Sequence, residues 1–207
     1  MGAYQIKNEI YKALEEEISM TNQQLLKSLQ EKEEILNTVE FIKISFSESL
    51  LEDIEFLNNL SGNPIFKIRH AHMVLRDMLE QVIEFIFLMK HPDMISDYLG
   101  LNIYDNSEKS FDPIKEIHKI GSERFKDGRK SVSAMAKDIG EKESSSNRMT
   151  LYDMYQLLSE ACHNSYFFAG LDNVETVETG KEFVALSEEQ VQYLMIIIGR
   201  FMEIYSK

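Results

Sequence analysis

Only three prolines and nine glycines interrupt this chain of 207 residues. Proline breaks helices and sheet ladders, and glycine marks turns, so a chain poor in both has few places to change direction. A β sandwich or barrel needs a turn about every 10 residues, whereas long helices need few. The apolar spacing agrees with helices. Ile6, Ile10, Leu14 and Ile18 recur at four-residue steps, followed by Leu25, Leu29, Val39, Ile42 and Phe46. That is one face of a helix repeated along the first sixty residues. The expected fold is an all-α multi-helix bundle.

The segment SGNP at 61–64 divides the chain, because Asn63 before a proline is pushed out of helical geometry. Residues 1–60 read as an acidic helical arm, with five Lys/Arg against twelve Asp/Glu. Residues 65–207 read as the bundle domain. Its first helix is expected over 65–89, with Ile68, Leu75, Leu79, Val82 and Ile86 inward and Asp77, Gln81 and Glu84 opposite. A short helix is expected at 93–99, a loop at 101–112 and helix again from Asp112. GEKESSSNR at 140–148 is the most loop-like stretch, and Thr150 then caps a helix running to about Ala169. Alternating residues around Thr179-Gly180 predict a small β-hairpin within 173–186. Ser187 opens a last helix whose wide apolar face, with Val191, Leu194, Met195, Ile198, Phe201 and Met202, predicts a central position.

Composition excludes several classes. One cysteine, Cys162, permits neither an internal disulfide nor a cysteine-based zinc site. No apolar run approaches the ~20 residues of a membrane span, and the N-terminal residues lack the apolar core of a signal peptide. A cytoplasmic protein away from membranes is expected. The net charge of −13 opposes RNA, although residues 115–142 carry eight Lys/Arg against five Asp/Glu. No phosphate-binding glycine loop or nucleophile elbow is present, and Glu160-x2-His163 is one pair of a di-iron set that needs a second Glu-x2-His and two further glutamates. Neither a cofactor nor a metal is expected.

One constellation carries chemistry. At about 100° per residue, His72, Arg76 and Glu80 slide from the edge of the apolar stripe of their helix to its flank. On the helix after Thr150, Tyr155, Ser159 and His163 drift off the stripe formed by Leu151, Met154, Leu158 and Cys162. If the two edges face each other, they enclose a partly buried pocket. His163 would move a proton, Arg76 would hold a phosphate or carboxylate, and Glu80, Tyr155 and Ser159 would orient them. The same residues could instead satisfy one another and only fix packing. The order Arg76 before Glu80 is the weaker one for an isolated i,i+4 pair, which favours a tertiary role.

Arg-x3-Glu (Arg76, Glu80) followed by Tyr-x3-Ser-x3-His (Tyr155, Ser159, His163) resembles a bacterial family of helical proteins of unknown function, broadly similar to HEPN-type bundles. The resemblance covers roughly 65–205. It implies an effector or binding module in phage defence or toxin–antitoxin biology. The N-terminal arm or the apolar last helix would pair two copies into a homo-oligomer, a homodimer, or meet a protein partner. The alternatives are a metal-independent ribonuclease using His163 and Arg76, and a scaffold without an active site. HEPN ribonucleases share Arg-x4–6-His, whereas here no arginine lies four to six residues before any of the five histidines.

Overall fold

The computed structural model describes residues 8–59, 64–99, 130–142, 148–163 and 188–207. The described residues form helices and no strand, as an all-α bundle requires. The elements are α1 (Asn8–Leu29), α2 (Val39–Asn58), α3 (Pro64–Lys90), a 3-10 turn (Pro92–Met94), α4 (Ile95–Leu99), α5 (Val132–Asp138), α6 (Leu151–His163) and α7 (Glu188–Tyr205). The hairpin expected at 173–186, the helix expected from Asp112 and most of the basic stretch lie outside the described residues.

The centre of the bundle is α3, not the last helix. It packs against α2, α5, α6 and α7. Its buried residues, Ala71, Leu75, Met78, Leu79, Val82, Ile83, Phe85, Phe87 and Leu88, therefore point in nearly every direction. A helix covered on several sides has no wide polar face. This corrects the outward position expected of Glu84, which is 4% exposed and takes the Tyr98 hydroxyl as a donor. The last helix buries Leu194, Ile198 and Phe201 against the core, but Met195 remains exposed.

Both helices of the arm contribute to the same apolar cluster, through Leu14 and Ile18 of α1 and Ile42, Leu50, Ile54 and Leu57 of α2. Each such side chain contributes about 1.5–3 kcal/mol on burial. A buried polar junction ties α1 to both α2 and α7. Tyr205 donates to Asn22 Oδ1 at 2.7 Å, and Asn22 Nδ2 donates to Ser47 Oγ at 3.0 Å and Glu48 Oε1 at 2.7 Å. Side chains buried in this way are tolerated because their donors and acceptors meet.

The start of α6 is fixed from two directions. Thr150 Oγ1 accepts from the Asp153 amide at 3.1 Å, and Asp153 Oδ2 accepts from the Thr150 amide at 2.9 Å. This is a reciprocal capping box with Asp in place of the usual Glu. The second support comes from the end of α5. Gly140 there has φ of 79°, a left-handed conformation that glycine adopts without steric cost. The Glu141 amide returns to Ala136 O and the Gly140 amide to Lys137 O, a Schellman closure. It turns Glu141 inward, where its Oε2 accepts from the Leu151 amide at 3.2 Å. Its Oε1 accepts from Arg148 at 2.9 Å and from Arg200 of α7. One buried carboxylate thus joins α5, α6 and α7.

Candidate functional site

The polar edges of α3 and α6 face each other. Arg76 Nε donates to Ser159 Oγ at 2.9 Å, and Arg76 Nη2 donates to the Tyr155 hydroxyl at 2.7 Å. The guanidinium carbon also stands 4.9 Å from the centroid of the Tyr155 ring, within cation–π range. Ser159 Oγ donates in turn to Tyr155 O, one turn earlier in α6, at 2.7 Å. Glu80 lies 3.7 Å from Arg76 Nη2. The i,i+4 pair is therefore looser than either bond across the helix interface, in keeping with a tertiary role for Arg76.

Four of the five expected site residues thus meet in one node: Arg76, Glu80, Tyr155 and Ser159. The fifth, His163, ends α6, and its side chain lies outside the described residues. His72 belongs to the same polar line of α3 but turns elsewhere, with its Nε2 3.1 Å from Gln190 Nε2 of α7. Among the described residues no group of three or more His, Cys, Asp or Glu side chains is arranged to hold a metal ion.

The chemistry of the node is set by which groups hold the guanidinium. Two hydroxyls take its close donors and leave its positive charge in place, whereas a bidentate carboxylate would neutralise it. The nearest carboxylate, Glu80, is too far for a short charge-assisted bond. The Arg76 side chain is still 34% exposed, so a ligand can approach it.

Clefts open on both sides of the node. One, of about 410 Å³, is lined by Arg76, Asp77, Met73, Val74, Asp53 and Cys162. The other, of about 350 Å³, is lined by Glu80, Tyr155, Tyr152, Lys130, Ser131, Val132 and Ser133. Tyr152 and Tyr155 stack with centroids 5.9 Å apart, and Lys142 Nζ lies 5.5 Å from the Tyr152 centroid. Arg76, Tyr155, Tyr152 and Lys142 therefore form a continuous cation–ring–ring–cation row along α6.

The acidic side of the first cleft was not apparent in the sequence. Asp53 comes from α2, within the acidic helical arm, and Asp77 lies on the face of α3 that the apolar stripe predicts to be outward. Gln81 Nε2 donates to Asp53 Oδ2 at 3.2 Å and to Asp77 Oδ2 at 2.8 Å, holding the two carboxylates near each other. Burial first, then the charges of Asp77 and Glu52, push the Asp53 carboxyl up to about 6. The only sequence signal was the place of Asp53 beside the apolar stripe of Leu50, Ile54 and Leu57.

Compared with family models, with curated proteins and with solved structures, the chain matches none. Among the described residues no helix is long and apolar enough to cross a membrane.

Proposed function

We propose that the protein is a helical-bundle effector or binding module that holds an anionic group, a phosphate or a carboxylate, at Arg76. The observation that carries this reading is the fixing of Arg76 by the hydroxyls of Tyr155 and Ser159, with its side chain still partly exposed. A cation whose short hydrogen bonds go to neutral hydroxyls is oriented in advance, so an incoming anion competes only with the looser 3.7 Å contact of Glu80 and does not have to order a flexible side chain. The setting we put forward, phage defence or a toxin–antitoxin pair in the cytoplasm, rests on the resemblance of the Arg-x3-Glu and Tyr-x3-Ser-x3-His motifs to HEPN-like bundles.

Thermal unfolding with increasing inorganic phosphate, adenosine monophosphate or citrate tests the reading. A bound ligand at a hundred times its Kd stabilises the fold by about 2.7 kcal/mol. At least one of these anions should raise the Tm saturably, and Arg76→Gln should abolish the rise. No shift with any of them at tens of millimolar would overturn the proposal. Cleavage of total RNA by the wild type but not by His163→Ala would replace it with the ribonuclease reading.

A further inference from the structure

The 410 Å³ cleft beside Arg76 has walls of opposite charge. Arg76 and Asp77 line it from α3, and Asp53 lines it from α2. Met73, Val74 and Cys162 supply an apolar and thiol surface between them. The volume lies within the range of small-molecule pockets, at the small end. A simple anion would meet Arg76 but would also approach two carboxylates, which repel it. The acidic wall is therefore a cost for an anion alone and a gain for a ligand that also carries a positive group.

We infer that the ligand is a small zwitterion, its phosphate or carboxylate on Arg76 and its primary ammonium between Asp53 and Asp77. This inference rests on the anion-binding reading above and adds the second charge. Among the described residues, the bridge between the two carboxylates is the neutral amide of Gln81, which donates one hydrogen-bonding group to each. An ammonium brings three donors and a full charge to the same place. Asp53 is also the carboxylate that burial and like charge keep partly protonated near neutral pH. Among the described residues, the charges that act on it are Asp77 on α3 and Glu52 on its own helix, while Arg76 of α3 and Cys162 of α6 line the same cleft. An arriving cation would relieve the repulsion from Asp77 and Glu52 and drive off the proton.

Isosteric probes separate the charges. Binding of γ-aminobutyrate, butyrate, butylamine, phosphoethanolamine and ethyl phosphate is measured by calorimetry on the full chain. At least one zwitterion should bind about tenfold or more tightly than its amine-free partner, as expected for a charge-assisted bond. Its advantage should shrink as the pH falls below about 6, where Asp53 takes up a proton. Asp53→Asn and Asp77→Asn should each lower zwitterion affinity and leave butyrate or ethyl phosphate binding equal or stronger. Circular dichroism checks that both variants fold.

Equal binding of zwitterions and amine-free anions would overturn this inference and leave the anion site standing. Absence of binding by every anion would overturn both. Butylamine binding as tightly as γ-aminobutyrate, unaffected by Arg76→Gln, would also overturn both, since the cleft would then be a simple cation site.

Discussion

Arg76 meets Tyr155 twice, through a 2.7 Å bond from Nη2 to the phenol oxygen and through the face of the ring 4.9 Å from the guanidinium carbon. The two contacts respond to different substitutions. Tyr155→Phe keeps the ring and removes the hydroxyl, so it should cost about 1 kcal/mol, the net value of one hydrogen bond. Tyr155→Ala should cost more, because the ring also packs against the core cluster. In a double-mutant cycle, Arg76→Gln and Tyr155→Phe should couple by about 1 kcal/mol in urea unfolding. Additive costs would show that the bond contributes nothing to the fold.

The node was legible in the sequence because four-residue spacing keeps Arg76 with Glu80, and Tyr155 with Ser159, on one flank of each helix. Which flanks would meet was not legible, since that depends on how α3 and α6 are placed by everything around them. The same limit explains Glu84. Helical periodicity gives one inward face, but a helix packed against four others has several, and Glu84 lies on one that the primary stripe does not mark. The place of Asp53 is not legible for a related reason. An acidic segment before a proline break reads as an arm, yet the apolar stripe of α2 docks on α3 and brings Asp53 to the cleft. Glu141 lies in a stretch that reads as loop, and no spacing rule names Arg200, fifty-nine residues later, as its partner.

Asp53 should make the protein less stable as the pH rises. Its folded-state carboxyl is raised to about 6, above its unfolded value, so the folded state binds more protons between roughly pH 4 and 6. Stability attributable to this group is therefore greatest below about pH 4 and declines through pH 6. The side chain is partly exposed, and with solvent screening the loss should be about 1–2 kcal/mol rather than the full shift. Asp53→Asn should accordingly raise stability at pH 7 by about 1 kcal/mol and flatten this part of the profile. Urea unfolding at pH 4, 5, 6 and 7 measures both. A variant less stable than the wild type at pH 7 would mean that the ionised carboxylate has a stabilising role.

Glu141 should be the most sensitive polar position among the described residues. Its side chain is 5% exposed and accepts from Arg148, Arg200 and the Leu151 amide. Glu141→Ala removes the acceptor for all three, strands the Leu151 amide and leaves Arg200 with Glu203 alone, a summed loss of about 3–5 kcal/mol. For a chain of this length that corresponds to a fall in Tm of about 6–20 °C. Glu141→Gln keeps an oxygen for one donor and should lose roughly half as much. Calorimetry on the two variants gives the order. Equal Tm values for wild type and Glu141→Ala would show that α5, α6 and α7 are joined without this carboxylate.

Asp138 ties the end of α5 to the end of α3 and should make stability fall in acid. It sits in the last turn of α5, where the helix dipole disfavours a negative charge. Lys90 and His91 at the end of α3 offset this, with contacts to Oδ1 of 2.9 Å and 2.7 Å. The hydrogen bond with His91, then that with Lys90, holds the Asp138 carboxyl down at about 2. A carboxylate with a lowered folded-state value stabilises above its unfolded pKa, near pH 4, and this contribution is lost as the pH falls toward 2. Asp138→Asn should therefore leave the protein less stable at pH 7 and make the two proteins converge below about pH 2. His91→Gln keeps a side-chain donor but removes the imidazole, so it should reproduce only part of the loss. Tm measured from pH 2 to 7 for the wild type and both variants checks this. A constant gap between wild type and Asp138→Asn across that range would show that the contact acts through packing and not through charge.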